Sequence, residues 1–113
     1  MKIKTISCLF GFAATLLCSP LASAAPDAAA AQALAKKEGC LKCHAVDKKK
    51  EGASLKEISA KYKGKADAQA TLLRHMTAGD KVKFADGTEE EHKVIKTQDK
   101  AELSNLIAWI LSL

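Results

Sequence analysis

Apolar positions follow two regimes along the chain. Between Ile6 and Leu17 they run on with no charge among them, and the uncharged stretch continues through Ser19-Pro20-Leu21-Ala22-Ser23-Ala24. After Asp27 they recur at helical spacing instead. Ala28 to Lys37 is an alanine-rich run with Asp27 before it and Gly39 after it, the punctuation of a helix start and stop. Its Ala31, Leu34 and Ala35 share one face, small enough for a second helix to approach closely. Ser54-Leu55-Lys56-Glu57 reads as a capping box opening a short helix to about Tyr62, with Leu55 and Ile58 inward and Gly64 ending it. Asp67 is placed to cap a third helix that carries Leu72, Leu73 and Met76 on one side and stops at Gly79. From Asp80 to Thr97 the period fades, and Val82-Lys83-Phe84 with Asp86-Gly87 predicts an extended piece and a turn. Asp99 and Glu102 make a box-like start to the clearest amphipathic helix, in which Leu103, Leu106, Ile107, Ile110 and Leu111 follow the 3, 4, 7, 8 spacing. The chain has no internal repeat and no strand–helix–strand unit. The predicted architecture is all-α, with about four short helices.

The first regime changes what belongs to the fold. Lys2 and Lys4 form a basic head, a short apolar run follows, and Ala22-Ser23-Ala24 closes it, the anatomy of a secretory signal peptide over residues 1–24. A retained membrane anchor is the competing reading. The strongly apolar part is shorter than the roughly 18 residues a span requires, and Pro20 interrupts it. Cys18 follows Leu17, where lipid attachment would need a small residue. The expected mature domain is therefore 25–113, exported to the periplasm of a Gram-negative bacterium, with no stable membrane span. Processing removes Lys2 and Lys4 with Cys8 and Cys18, so the formal charge of +5 falls by two while Cys40 and Cys43 remain. A multi-domain enzyme is excluded by length, and nucleic acid is a poor partner for an exported domain of moderate charge.

The remaining domain is small, and Tyr62, Phe84 and Trp109 are its only aromatic residues. Domains of this size usually need a disulfide, a metal or a cofactor to complete the core. Two cysteines three positions apart close too small a loop for a useful disulfide staple. Cys40-Leu41-Lys42-Cys43-His44 has another reading, the C-x-x-C-H sequence of c-type haem attachment. Two thiols on one side of a helical turn can add to the two vinyl groups of a haem, and the next residue projects its imidazole beneath the iron. A thioredoxin-like dithiol needs a strand–helix–strand setting, and structural zinc needs four ligands, often as two pairs. Neither context is present in the pattern.

Gly39-Cys40-Leu41-Lys42-Cys43-His44-Ala45-Val46-Asp47-Lys48-Lys49, the stretch Gly52 to Ile58, Lys61-Tyr62 and the tail Ala108-Trp109-Ile110-Leu111-Ser112-Leu113 together resemble the small bacterial class I cytochromes c. The resemblance covers nearly all of the expected mature chain. It implies that fold, with terminal helices crossing near one haem edge, and one-electron transfer rather than enzymatic turnover. It implies one haem c bound through Cys40 and Cys43, with His44 as proximal iron ligand. Two positions depart from the family. Gly52-Ala53 stands where Gly-Pro is common, and the carbonyl there usually orients the proximal imidazole. The distal loop lacks the family's proline-flanked methionine.

Three readings of the sixth ligand follow. His92 lies in the loop that usually carries it; Met76, the only methionine beyond the signal, falls earlier and reads as core filler; or the iron is open. The empty ligand position favours His92, whereas His75 is expected to face solvent and Glu89, Glu90 and Glu91 to form a solvated run. A second imidazole in place of methionine lowers the potential expected for a class I cytochrome. The functional reading is a periplasmic single-electron carrier, or the electron-accepting subunit of a dehydrogenase. The alternative is a haem protein whose labile distal ligand yields to small gases or peroxide. Lysines 36, 37, 42, 48, 49 and 50 flank the motif, with Lys56, Lys61, Lys63 and Lys65 beyond, suited to redox partners with an acidic docking surface.

Overall fold

The computed structural model describes residues 24–113. The signal peptide expected over 1–24 lies, apart from Ala24, outside the described residues. Four α-helices appear where the periodicity places them: α1 Ala28–Lys37, α2 Leu55–Tyr62, α3 Ala68–Ala78 and α4 Lys100–Ser112. A two-stranded antiparallel hairpin, β1 Lys81–Lys83 and β2 Glu89–Glu91, is inserted between α3 and α4.

Local chemistry accounts for most helix ends. The Asp27 carboxylate accepts the Ala30 N–H, opening α1. At α2 the capping box is reciprocal: the Ser54 hydroxyl accepts the Glu57 N–H at 3.1 Å, and Glu57 accepts the Ser54 N–H at 2.7 Å. At α4 Asp99 accepts from Ala101 and Glu102, but Glu102 turns to the Thr97 hydroxyl instead of closing a box. Asp67 precedes α3 without capping its backbone; its carboxylate accepts from the Thr71 hydroxyl.

α4 is the central element. Leu103, Leu106, Ile107, Trp109 and Ile110 are buried along it, and Leu111 at its margin is half-buried. Ala31, Leu34 and Ala35 of α1 pack into the same core with Leu55 and Ile95, as the small-residue face of α1 predicts. The crossing of α1 and α4 is locked by a mutual pair: Asp27 N–H donates to Asn105 Oδ1 at 2.8 Å, and Asn105 Nδ2 donates to the Asp27 carbonyl at 2.9 Å. The end of α4 is held to α2, where Ser59, fully buried, and Lys63 both donate to the Leu113 carbonyl. On α3 the expected three-residue apolar face divides. Leu72 is buried, Met76 is half-buried against the core and Leu73 is exposed, because neighbours in a helix point about 100° apart and a short helix covers one narrow stripe.

The hairpin is the non-helical insertion that the fading period announces. Lys81 faces Glu91, Val82 faces Glu90 and Lys83 faces Glu89, so the acidic run is a strand supported by opposite charges across the ladder. Its turn contains Gly87 with φ +89°, and Asp86 accepts from both the backbone and the hydroxyl of Thr88.

Candidate functional site

The Cys40–His44 segment begins where α1 ends. Gly39 adopts φ +80°, a left-handed conformation that favours glycine, and the mobile end of Lys93 lies over it. The chain then makes a single 3-10 turn over Cys40–Lys42, and the Cys40 carbonyl accepts the N–H groups of Cys43 and His44. The turn therefore carries both thiols and delivers the imidazole immediately after them. Cys40 and Cys43 are free thiols. Burial pushes the Cys40 thiol above its ordinary range, countered in part by its backbone N–H, and the Glu38 carboxylate adds to the rise. A thiol shifted in that direction is the opposite of the acidified cysteine of a dithiol oxidoreductase.

His44 is oriented by the loop that follows. The Gly52 N–H donates to the Cys43 carbonyl at 2.8 Å, and the Leu55 and Lys56 N–H groups donate to the carbonyls of Ala45 and Val46. The loop thus returns alongside its own start and brings Ala53 to the imidazole. His44 Nδ1 donates to the Ala53 carbonyl at 2.7 Å. That bond assigns the proton to Nδ1 and leaves the Nε2 lone pair available to a metal. Proline is not needed for it, since alanine offers the same carbonyl in a loop pinned by three backbone bonds.

The close fit at Gly52 makes a testable point. A Cβ there would stand 2.6 Å from His44 Cε1 and 2.9 Å from Nδ1, so either the ring or the loop must move. Gly52→Ala is expected to destabilise the folded protein by about 1–3 kcal/mol, the usual cost of overpacking. Denaturant unfolding of the variant beside wild type measures it, and equal stabilities would contradict the close fit.

The segment 92–96 faces His44 and is fixed at three points. His92 N–H donates to the Asp80 carbonyl at 2.8 Å, Ile95 N–H donates to the Met76 carbonyl at 2.9 Å, and Lys96 N–H donates to Glu38 Oε2 at 2.7 Å. Ile95 is buried in the core. The loop is therefore held without prolines. Glu38, 6% exposed, is a residue that sequence reasoning passes over, because nothing local distinguishes it from the solvated charges around it.

The rings of His44 and His92 lie 6.2 Å apart, centroid to centroid, with planes inclined at 43°. Two imidazoles on opposite sides of one metal, each bonded at about 2 Å, have centroids about 6 Å apart once each nitrogen's distance from its ring centre is added. Among the described residues, His92 Nδ1 is a buried side-chain nitrogen without a hydrogen-bond partner. Such an atom costs about 1–3 kcal/mol unless another group engages it. Burial, then the neighbouring His75 and His44 rings, hold His92 below the ordinary imidazole pKa, which favours the neutral, ligating form. Cys40, Leu41, Val46, Ile58 and Met76 are half-buried apolar groups at the margin of the core. This donor set and apolar wall fit a haem tethered at the cysteines.

Met76 keeps its core-filling place, and its carbonyl rather than its sulfur has an identified bond. His75 differs from expectation. It is half-exposed and packs on His92, with ring centroids 4.4 Å apart, because α3 ends within one turn and the returning chain lies back across it. The signal that could have found it is its place one turn before the Gly79 stop.

Residues 28–113 match the model of the Cytochrome c family. Among curated relatives, cytochrome c-551 of Allochromatium vinosum is 34% identical over 79% of this chain and 92% of that protein. Cytochrome c2 of Rhodocyclus tenuis is 35% identical over 72% of this chain and 89% of that protein. Among solved structures, the class 1 cytochrome MtoD from Sideroxydans lithotrophicus ES-1 superposes with a TM-score of 0.75 at 52% identity, covering 78% of this chain and 97% of that one. Nitrosomonas europaea cytochrome c552 superposes with a TM-score of 0.59 at 34% identity, covering 73% and 98%.

Proposed function

The chain belongs to the cytochrome c family and is a class I monohaem electron carrier rather than an enzyme, and from that premise we propose that it works at low potential with two histidines on its iron. Haem c, which the family binds covalently, supplies a reversible one-electron couple. In this reading Cys40 and Cys43 would tether the haem, each thiol adding its S–H across one vinyl group, and His44 and His92 would hold its iron. The observation that carries it is the spacing of the two imidazoles, 6.2 Å between ring centroids. One imidazole is oriented by a carbonyl, and the other keeps a buried nitrogen unpartnered.

Each residue has a defined task. Ala53 holds the His44 tautomer and ring orientation through the Nδ1–H bond. The clips at Asp80, Met76 and Glu38 keep 92–96 in place, so that a change of iron charge moves little of the protein. Imidazole stabilises oxidised iron better than a thioether does, which puts the potential below that of the Met-ligated members. Lys36, Lys37, Lys42, Lys48 and Lys49 are exposed around the attachment turn. They favour a redox partner with an acidic surface, through a field that salt screens over about 8 Å at physiological ionic strength. Among the described residues no helix is long and apolar enough to cross a membrane. With residues 1–24 read as a cleaved signal, the proposed location is the periplasm.

A redox titration of the holoprotein together with its oxidised absorption spectrum tests the ligand assignment. The expected result is a midpoint below that of Met-ligated class I cytochromes, with a low-spin spectrum lacking the methionine-to-iron charge-transfer band. A strongly positive midpoint with that band present would transfer the role to Met76.

A further inference from the structure

We propose that Asp80 and His75 are positioning residues for His92, together setting the ring orientation and retention of the distal imidazole. The inference rests on the reading of His92 as a ligand and deepens it. Asp80 is the first residue after the Gly79 stop, whose φ of +67° turns the chain out of α3. It therefore presents two groups to the site at once. Its carbonyl accepts the His92 N–H at 2.8 Å and holds the backbone that carries the ring. Its carboxylate reaches back over the last turn of α3, with Oδ2 2.9 Å from Arg74 Nη1 and 3.9 Å from His75 Nδ1. The His75 ring in turn lies 4.4 Å from the His92 ring at 43°.

The result is a continuous chain of contact, Arg74 to Asp80 to His75 to His92, that closes on itself through the Asp80 main chain. Its members differ in exposure: the Arg74 side chain is 66% exposed, His75 41% and Asp80 34%. An exposed ion pair such as Arg74–Asp80 contributes little to stability by itself, so the value of the arrangement lies in geometry. An imidazole on a short loop can turn about its own side-chain bonds and swing away from a metal. His75 walls one side of His92 and removes part of that freedom, while Asp80 keeps both the wall and the loop in register. Outer groups of this kind fix the orientation of ligating imidazoles generally.

The test compares holoproteins of wild type, His75→Ala, His75→Phe, Asp80→Asn and His92→Ala by two measurements: electron paramagnetic resonance of the oxidised form and the rate of carbon monoxide binding to the reduced form. His75→Ala is expected to shift and broaden the low-spin signal and to speed carbon monoxide binding by roughly tenfold to a hundredfold, the span typical of losing an outer-shell partner. His75→Phe keeps a ring against His92 and is expected to stay near wild type. Asp80→Asn, which retains the main-chain carbonyl, is expected to fall between. The inference is overturned if His75→Ala matches wild type in both measurements, even with a lowered melting temperature, or if His75→Phe is as perturbed as His75→Ala. If His92→Ala itself keeps the wild-type signal and inertness, the ligand assignment fails first, and that outcome is distinct from the other two.

Discussion

His92→Ala is expected to convert the oxidised protein from low spin to high spin and to open the reduced protein to rapid carbon monoxide binding. If His92 holds the iron as proposed, an incoming ligand has to wait for it to leave, and its apparent affinity falls by the fraction of time the position is open. A form open about 1% of the time binds about a hundredfold more weakly than one always open. The three clips on 92–96 argue for a small open fraction, since the backbone N–H groups of His92, Ile95 and Lys96 are all engaged and Ile95 is anchored in the core. His92→Met supplies the complementary result. A thioether at this position should raise the midpoint above wild type, provided the longer side chain reaches. Stopped-flow mixing with carbon monoxide and a redox titration decide both. A His92→Ala protein that stays low spin and inert would exclude His92 as the ligand.

The same experiment separates the two uses that the chain's composition allows. A carrier needs an iron that keeps both ligands as it changes charge, and a gas-binding protein needs one ligand that leaves readily. The His44 ring is tied through Nδ1 to Ala53, while the His92 ring has packing from His75 but an unpartnered Nδ1. His44 is thus fixed at the ring itself, and His92 at the backbone. Inertness of the wild-type protein is the outcome that accords with electron transfer.

Features encoded within a few residues were legible from the chain. Asp27, the Ser54–Glu57 box and Asp99 mark helix starts through bonds to residues two or three positions away, and Gly64 and Gly79 mark ends through a left-handed backbone. The C-x-x-C-H turn was equally local. What escaped depends on distant partners. That Glu89, Glu90 and Glu91, exposed as expected, form a strand depends on Lys81–Lys83 pairing with them. Glu38 is buried because Lys96, 58 positions away, donates to it, and His75 meets His92 only because Asp80 folds the chain back. The candidate ligands and the Ala53 carbonyl that orients His44 could be named from the sequence, but the groups packed around His92 could not.

Substituting both Cys40 and Cys43 by serine is expected to abolish covalent haem and, with it, most of the cooperative stability of the domain. A polypeptide recovered from such a strain should carry no haem stain after denaturing electrophoresis, and its mass should equal that of the bare chain. The stability half of the expectation follows from the make-up of the core. The buried cluster consists of Ala31, Leu34, Ala35, Leu55, Ile95, Leu103, Leu106, Trp109 and Ile110, with two of its members alanine and one an aromatic residue. Cys40, Leu41, Val46, Ile58 and Met76 pack against it only half-buried, and each bears part of a hydrophobic gain worth about 25 cal/mol per Å² only when covered. A tethered haem stays on the unfolded chain, so its contribution is the packing and ligation it makes only in the folded one, and the tether makes that association intramolecular. Thermal unfolding followed by far-ultraviolet circular dichroism should accordingly change from a sharp transition in the holoprotein to a broad, early loss of helix in the double variant. A haem-free variant that unfolded as sharply and as late as the holoprotein would mean that the four helices close their core unaided, and the cysteines would then serve attachment alone.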